Sequence, residues 1–132
     1  MWHGLENKLI AYADDATLLA VVPSPCLRNT VADSLNRDLT RIYEWCKLWG
    51  MKLNPSKTQN MIVSRSRTLL PLHPDLHIDG MALNASDFFK VLGITFDKKF
   101  TFEKHIRIIA SSVSQKVGIL RKSIRMFGDE KY

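Results

Sequence analysis

Two adjacent carboxylates, Asp14 and Asp15, interrupt a run of apolar residues over positions 8–22. The apolar segments on either side have the length of strands, so the pattern predicts a buried hairpin with the acidic pair at its bend. Two carboxylates held together repel, and a cation that neutralises the site relieves that repulsion. Magnesium suits such a pair, because it takes oxygen ligands and commonly binds through one or two carboxylates plus substrate phosphates. Aspartate is also a favoured turn residue, so the pair alone does not separate a metal site from a simple bend.

The surrounding residues add a second line of argument. Tyr12-Ala13-Asp14-Asp15, followed by Ala16-Thr17-Leu18-Leu19, resembles the YxDD catalytic hairpin of reverse transcriptases. Alanine between the tyrosine and the first aspartate is similar to the non-LTR, LINE-like retrotransposon group. Gly50-Met51-Lys52-Leu53-Asn54-Pro55-Ser56-Lys57-Thr58 resembles that family's G-x-x-L-N-x-x-K-T segment, and Val91-Leu92-Gly93-Ile94-Thr95-Phe96-Asp97 its L-G-I/V segment. The three stand in the family's order, and the resemblance extends over about residues 5–127.

The resemblance implies phosphoryl transfer from a nucleoside triphosphate to a primer hydroxyl, with two metal ions clamping the attacking and leaving oxygens. It implies Asp14 and Asp15 as magnesium ligands and Lys57 near the phosphates of the incoming nucleotide. Leu92 and Gly93 match the primer grip, and the partners would be an RNA template and a DNA primer. The family's further metal-binding aspartate and its fingers lie on the amino-terminal side of the hairpin. Eleven residues precede Tyr12, and the one acid among them, Glu6, does not match that motif. The expectation is a carboxy-terminal palm at residues 1–100 and the start of a thumb at 101–132. Such a piece would bind magnesium weakly and be inactive without the missing amino-terminal half of the polymerase.

Composition agrees with a nucleic-acid partner. The 132 residues suffice for one domain, and 45% hydrophobic with 24% charged residues is ordinary for a folded chain. Nineteen Lys and Arg against thirteen Asp and Glu give a formal charge of +6, which favours a polyanion. No apolar run reaches the length of a membrane span, and Met1-Trp2-His3-Gly4 lacks the pattern of a signal peptide. Cys26 and Cys46 fall about 30 Å apart on one predicted helix, too far to pair, so an intracellular protein, nuclear or cytoplasmic, with reduced thiols is expected.

The elements that must position these residues read as α+β. Ser24 and Pro25 suit a helix start. Leu27, Val31, Leu35, Leu39, Ile42, Cys46 and Trp49 then form one apolar face, and Gly50 is placed to close the helix. In the family this helix packs beneath the catalytic sheet. Trp45 and Trp49 read as packing residues in preference to base-stacking ones. Residues 58–64 read as a strand, residues 65–74 as a basic, proline-bearing loop, and Asp79-Gly80 as the type I′ turn of a hairpin. Residues 88–96 read as a strand with a bulge at Gly93. His73 and His77 flank a proline and do not suggest zinc, and His3 and His105 have no evident partners. An unpaired edge of the acidic hairpin would be an association liability.

The last helix has Thr101 as a candidate cap. Its apolar stripe is Phe102, Ile106, Ile109, Val113, Val117, Leu120, Ile124 and Phe127. About 130° around the helix lies a stripe of Lys104, Arg107, Ser111, Ser114, Gly118, Arg121 and Arg125. The apolar stripe is expected to face the core. The basic stripe would face outward, either as a solvated surface or as a track for a phosphate backbone. Lys104, Arg107, Arg121 and Arg125 are the candidate nucleic-acid contacts, and a nonenzymatic binding protein that uses them is the alternative function.

Overall fold

A computed structural model describes residues 4–64 and 73–128. β1 (Lys8–Tyr12) and β2 (Asp15–Leu19) pair antiparallel, with Lys8 opposite Leu19 and Tyr12 opposite Asp15. Ala13 and Asp14 are left as a two-residue turn. Ala13 takes a φ of 52°, the positive value that lets a two-residue turn follow the twist of its strands. The hairpin is not buried, contrary to the apolar run. Ile10 and Leu19 are about half exposed, because β1 and β2 pair only with each other among the described residues. Leu18 is the hairpin residue packed against the core.

A single 3₁₀ turn, Pro25–Leu27, leads into α1 (Arg28–Leu48). Ser24 does not cap α1. It is extended, its carbonyl accepts the Leu27 amide at 3.0 Å, and its hydroxyl lies 3.0 Å from Cys26 Sγ. The apolar face buries Ala32, Leu39, Ile42 and Cys46, while its two ends, Leu27 and Trp49, remain exposed. Trp45 and Trp49 lean on one another with ring centroids 6.1 Å apart. Both cysteines are free thiols, Cys26 exposed and Cys46 buried.

The end of α1 is a Schellman motif. The Met51 amide donates to the Cys46 carbonyl at 2.8 Å and the Gly50 amide to Lys47 at 3.2 Å, with Gly50 at φ 68°. Helix α1 packs on β4 (His77–Ile78), which pairs antiparallel with β5 (Met81–Ala82). Ala32, Leu39, Leu76 and Ile78 form the buried centre, surrounded by Leu18, Leu35, Tyr43, Leu53 and Leu83. The β4–β5 turn has both Asp79 and Gly80 at positive φ, as a type I′ turn requires. The Tyr43 hydroxyl donates to the Asp79 carboxylate at 2.7 Å and ties this turn to α1.

The remaining strands differ from the sequence reading in two ways. The segment expected as a strand over residues 58–64 contributes only β3 (Gln59–Asn60), paired parallel with β6 (Asn84–Ala85). Residues 88–96 are not one bulged strand. They fold back as β7 (Phe88–Val91) and β8 (Ile94–Asp97) around a turn at Leu92-Gly93, whose φ values are 47° and 87°. The result is an α+β fold of two helices and four two-stranded ladders, three antiparallel and one parallel, among the described residues. Within the expected loop over residues 65–74, positions 65–72 fall outside the described residues.

Phe89, Phe96, Phe100 and Phe102 form an aromatic cluster, with centroids 5.0 to 6.0 Å apart between neighbours, that joins β7–β8 to α2 (Glu103–Gly128). Helix α2 leans on β8 at its start, and among the described residues its apolar stripe beyond Phe102 does not face a core. Ile106, Ile109, Val113, Val117, Leu120 and Ile124 are all exposed. The 3.6-residue period marks which residues share a face, and it carries no information about whether a partner covers that face.

The two glycines that end and interrupt the helices should respond oppositely to alanine. Gly50→Ala places a Cβ in the left-handed region and should cost about 1–2 kcal/mol. Gly118 lies within α2 with nothing within 4 Å of an added Cβ, and Gly118→Ala should raise helicity and stabilise by up to about 1 kcal/mol. Urea unfolding midpoints followed by circular dichroism check both.

Candidate functional site

The acidic hairpin is held at its base by α1. Asp38 is fully buried, and its carboxylate accepts the Glu6 amide at 3.0 and 3.1 Å, the Asn7 amide at 2.8 Å and Asn7 Nδ2 at 2.9 Å. Arg41 Nη1 lies 3.3 Å away and also donates to the Gly4 carbonyl. Glu6 in turn accepts two hydrogen bonds from Arg37, at 2.8 and 2.7 Å. Burial pushes the Asp38 carboxyl upward, but the Glu6 and Asn7 donors and the Arg41 charge outweigh it and leave the group below the usual carboxylate range. Sequence reasoning missed Asp38. The available signal was its position, four residues before Ile42 and three after Leu35, where an apolar residue would continue the buried stripe.

At the other end of the hairpin, residues 10–16 are all exposed. Asp14 sits in the turn, and Asp15 is the first residue of β2, on the same face as its cross-strand partner Tyr12. Among the described residues neither carboxylate has a hydrogen-bond or ion-pair partner, unlike Asp38. Two open oxygen-donor groups fit one hydrated hard cation such as magnesium. No cluster of three His, Cys, Asp or Glu is assembled among the described residues.

Lys57 is exposed on a separate turn built by Asn54. The Asn54 side-chain oxygen accepts the Ser56 amide at 3.1 Å, and its carbonyl accepts the amides of Lys57 and Thr58, each at 3.1 Å. The asparagine of the L-N-x-x-K-T segment therefore shapes the bend that carries the lysine. Leu92 and Gly93 form the tip of the β7–β8 hairpin, where Leu92 is exposed despite its apolar side chain.

Lys104 and Arg107 come together with two lysines that sequence reasoning did not single out. Lys98 and Lys99 share with them a cavity of about 610 Å³ between β7–β8 and the start of α2. The Lys104 ammonium lies 3.8 Å from the centroid of the Phe88 ring, Lys98 pairs with Asp87 at 3.0 Å, and Arg107 pairs with Glu103 at 2.6 Å. The Lys98-Lys99 doublet directly after β8 was the available signal. Arg121 and Arg125 are not part of this cavity, since Arg121 lies about 25 Å further along α2 from Lys104.

A second structural carboxylate sets the start of α2. Asp97 accepts the amides of Lys99, Thr101 and Phe102 at 3.0, 3.1 and 2.7 Å and the Thr101 hydroxyl at 3.0 Å. Those donors, the Thr101 amide first, hold its carboxyl below the usual range. The loop they stabilise includes Phe100 and Phe102 at positive φ. Thr101 also serves the helix start, its hydroxyl accepting the Glu103 amide at 3.3 Å. Of the histidines, His77 pairs with Asp75 at 3.1 Å and His105 Nδ1 faces the Thr95 amide at 3.4 Å, while His3 lies outside the described residues.

Comparison with known proteins identifies the class. The reverse transcriptase (RNA-dependent DNA polymerase) family matches residues 1–96, and the chain belongs to it. It is 37% identical over 113 residues to the probable RNA-directed DNA polymerase from transposon BS of Drosophila melanogaster, which covers 86% of this chain and 12% of that protein. It is 29% identical to the RNA-directed DNA polymerase from mobile element jockey and 27% to the probable enzyme from transposon X-element, both of Drosophila melanogaster, each with 85% of this chain and 12% of the relative covered. The chain thus corresponds to a segment of a non-LTR retrotransposon reverse transcriptase and spans 12% of the length of these relatives. No solved structure is significantly similar to it.

Asp38 and Asp97 should make the fold acid-sensitive. Both carboxyls titrate lower in the folded chain than in the unfolded one, so the unfolded state binds more protons between the two values. Their contribution is complete above the unfolded pKa and is lost as pH falls through the folded one. Urea midpoints should be level above about pH 5 and decline below about pH 4, and Asp97→Asn should lower the neutral-pH midpoint and flatten that decline.

Proposed function

We propose that this chain is the part of a non-LTR retrotransposon reverse transcriptase that carries the YxDD hairpin, with residues 1–100 forming carboxy-terminal palm and 101–132 beginning the thumb. The observation that carries this reading is the open acidic turn, Ala13-Asp14 with Tyr12 opposite Asp15, whose two carboxylates have no protein partner among the described residues. Asp14 acts as a magnesium ligand and Asp15 as a second, weaker one. Magnesium, when bound, neutralises charge on the phosphates of the incoming nucleotide. The match to the L-N-x-x-K-T segment assigns Lys57, on its own turn, to donate to the leaving phosphates. Leu92 and Gly93 support the primer end, and Lys104, Arg107, Arg121 and Arg125 hold the backbone of an RNA template and DNA primer without reading sequence.

The family's remaining aspartate and fingers come from the amino-terminal half of the full polymerase, which acts as this segment's partner inside the cell. The second reading is a nonenzymatic nucleic-acid-binding protein. It is favoured by the pocket where Lys98, Lys99, Lys104 and Arg107 outnumber Asp87, Asp97 and Glu103 by one charge, and to which the acidic hairpin contributes no residue.

A primer–template duplex should bind the purified chain with an affinity that falls steeply as salt rises. Changing Lys104, Arg107, Arg121 and Arg125 to Glu should weaken it by at least about tenfold at moderate salt, and Asp14→Asn should leave it unchanged. The chain alone should add no nucleotide to the primer. Template-directed addition by the pure chain, abolished by Asp14→Asn, would contradict its proposed dependence on the other half of the polymerase. Binding that is indifferent to the four charge reversals would remove the duplex-holding role of α2.

A further inference from the structure

We infer that Asp38 is the positioning residue of the acidic hairpin, fixing from α1 the angle at which Asp14 and Asp15 are presented. The inference rests on the reading of that hairpin as the metal-bearing element of a polymerase. It goes beyond that reading by assigning the placement of the hairpin to a residue on a different element, one that touches neither ion nor nucleotide.

The argument begins with what Asp38 accepts. A buried carboxylate is costly unless its acceptor sites are filled, and here they are filled by the two residues immediately before β1, Glu6 and Asn7, whose two main-chain amides and Asn7 Nδ2 all lie within 3.0 Å of it. Backbone amides are directional donors, so the contact fixes the orientation of the chain as well as its distance. Ser34 adds a further hold on Asn7, its hydroxyl accepting from Asn7 Nδ2 at 3.1 Å, and the Arg37–Glu6 pair closes the other side.

The other strand of the hairpin has its own point of attachment, Leu18, which packs against the core and lies opposite Leu9. An apolar contact resists separation but tolerates rotation, because it has no preferred direction. Asp38 supplies the directional restraint. The tip stands about 20 Å from Asn7 at the rise of a β-strand, so a 10° change at the base would sweep Asp14 through about 3–4 Å. A misplacement of about 1 Å is enough to cost about a hundredfold in rate where reacting groups must be aligned.

The test measures placement directly. Spin labels at Ala16→Cys on β2 and Thr40→Cys on α1, in a chain with Cys26→Ser and the buried Cys46 retained, report the distance distribution between hairpin and helix. Asp38→Asn keeps the size of the side chain but turns an NH₂ toward donors, and it should broaden the distribution by about 2 Å, the sweep of a 10° change at the roughly 13 Å between Asn7 and Ala11, the partner of Ala16. Circular dichroism confirms that α1 persists in each variant.

An unchanged distribution in Asp38→Asn would overturn the inference. In a full polymerase carrying this segment, Asp38→Asn should lower kcat by about a hundredfold with the nucleotide KM unchanged, and an undiminished kcat would likewise overturn it. Asp14→Asn separates the two failures. If Asp14→Asn abolishes addition and Asp38→Asn does not matter, the positioning role is wrong and the hairpin reading stands. If Asp14→Asn leaves addition intact, the hairpin reading itself is wrong.

Discussion

The structure depends on a carboxylate that is out of water and must therefore be answered by protein donors. Asp38 has no exposed surface, and the groups that answer it are the amides of Glu6 and Asn7. Those amides need an acceptor as much as the carboxylate needs donors, because β1 does not begin until Lys8 and no ladder is available to them there. One contact thereby satisfies both sides. It also joins α1 to the residues just before the strand that leads to the acidic turn.

Asp97 repeats the arrangement in the second half. It gathers three amides and a hydroxyl from residues 99–102, holds two phenylalanines in left-handed conformations, and sets the direction in which α2 leaves β8. The four aspartates that matter here form two contrasting pairs. Asp38 and Asp97 have their acceptor sites filled by the fold and are structural. Asp14 and Asp15 are open to solvent at the end of a hairpin that the fold secures at its base. An aspartate with protein donors has little left to offer a cation, whereas one without them retains its full capacity to bind one.

What the sequence revealed was what local physics decides. Asp79-Gly80 specified a type I′ turn because both positions tolerate positive φ, Gly50 specified the end of α1 for the same reason, and the apolar period of α1 located the face that is buried. A reversal near Asp14 was legible from the apolar runs on either side, but its register was not, since the turn is Ala13-Asp14 and Asp15 belongs to β2. The turn at Leu92-Gly93 was not, because leucine is a poor residue for a left-handed conformation and gives no turn signal. The parallel β3–β6 pair joins residues 25 apart and has no local signature. The fate of the α2 stripe was illegible for a different reason, since a period reports a face and not its neighbour. At the candidate site, Asp14, Asp15 and Lys57 came from motif resemblance, while Asp38 and Lys98-Lys99 required coordinates. Their roles arise from chain segments that meet only after folding.

The central claim is that the open turn at Asp14 and Asp15 receives a divalent cation. Titrating the isotopically labelled chain with Mn²⁺ and following paramagnetic broadening of its amide signals tests this most directly. The account predicts that signals around residues 12–16 broaden first and that Asp14→Asn removes the effect while leaving the fold intact. Broadening that begins elsewhere, at Asp75 or Asp79 for example, or that persists unchanged in Asp14→Asn, would contradict it.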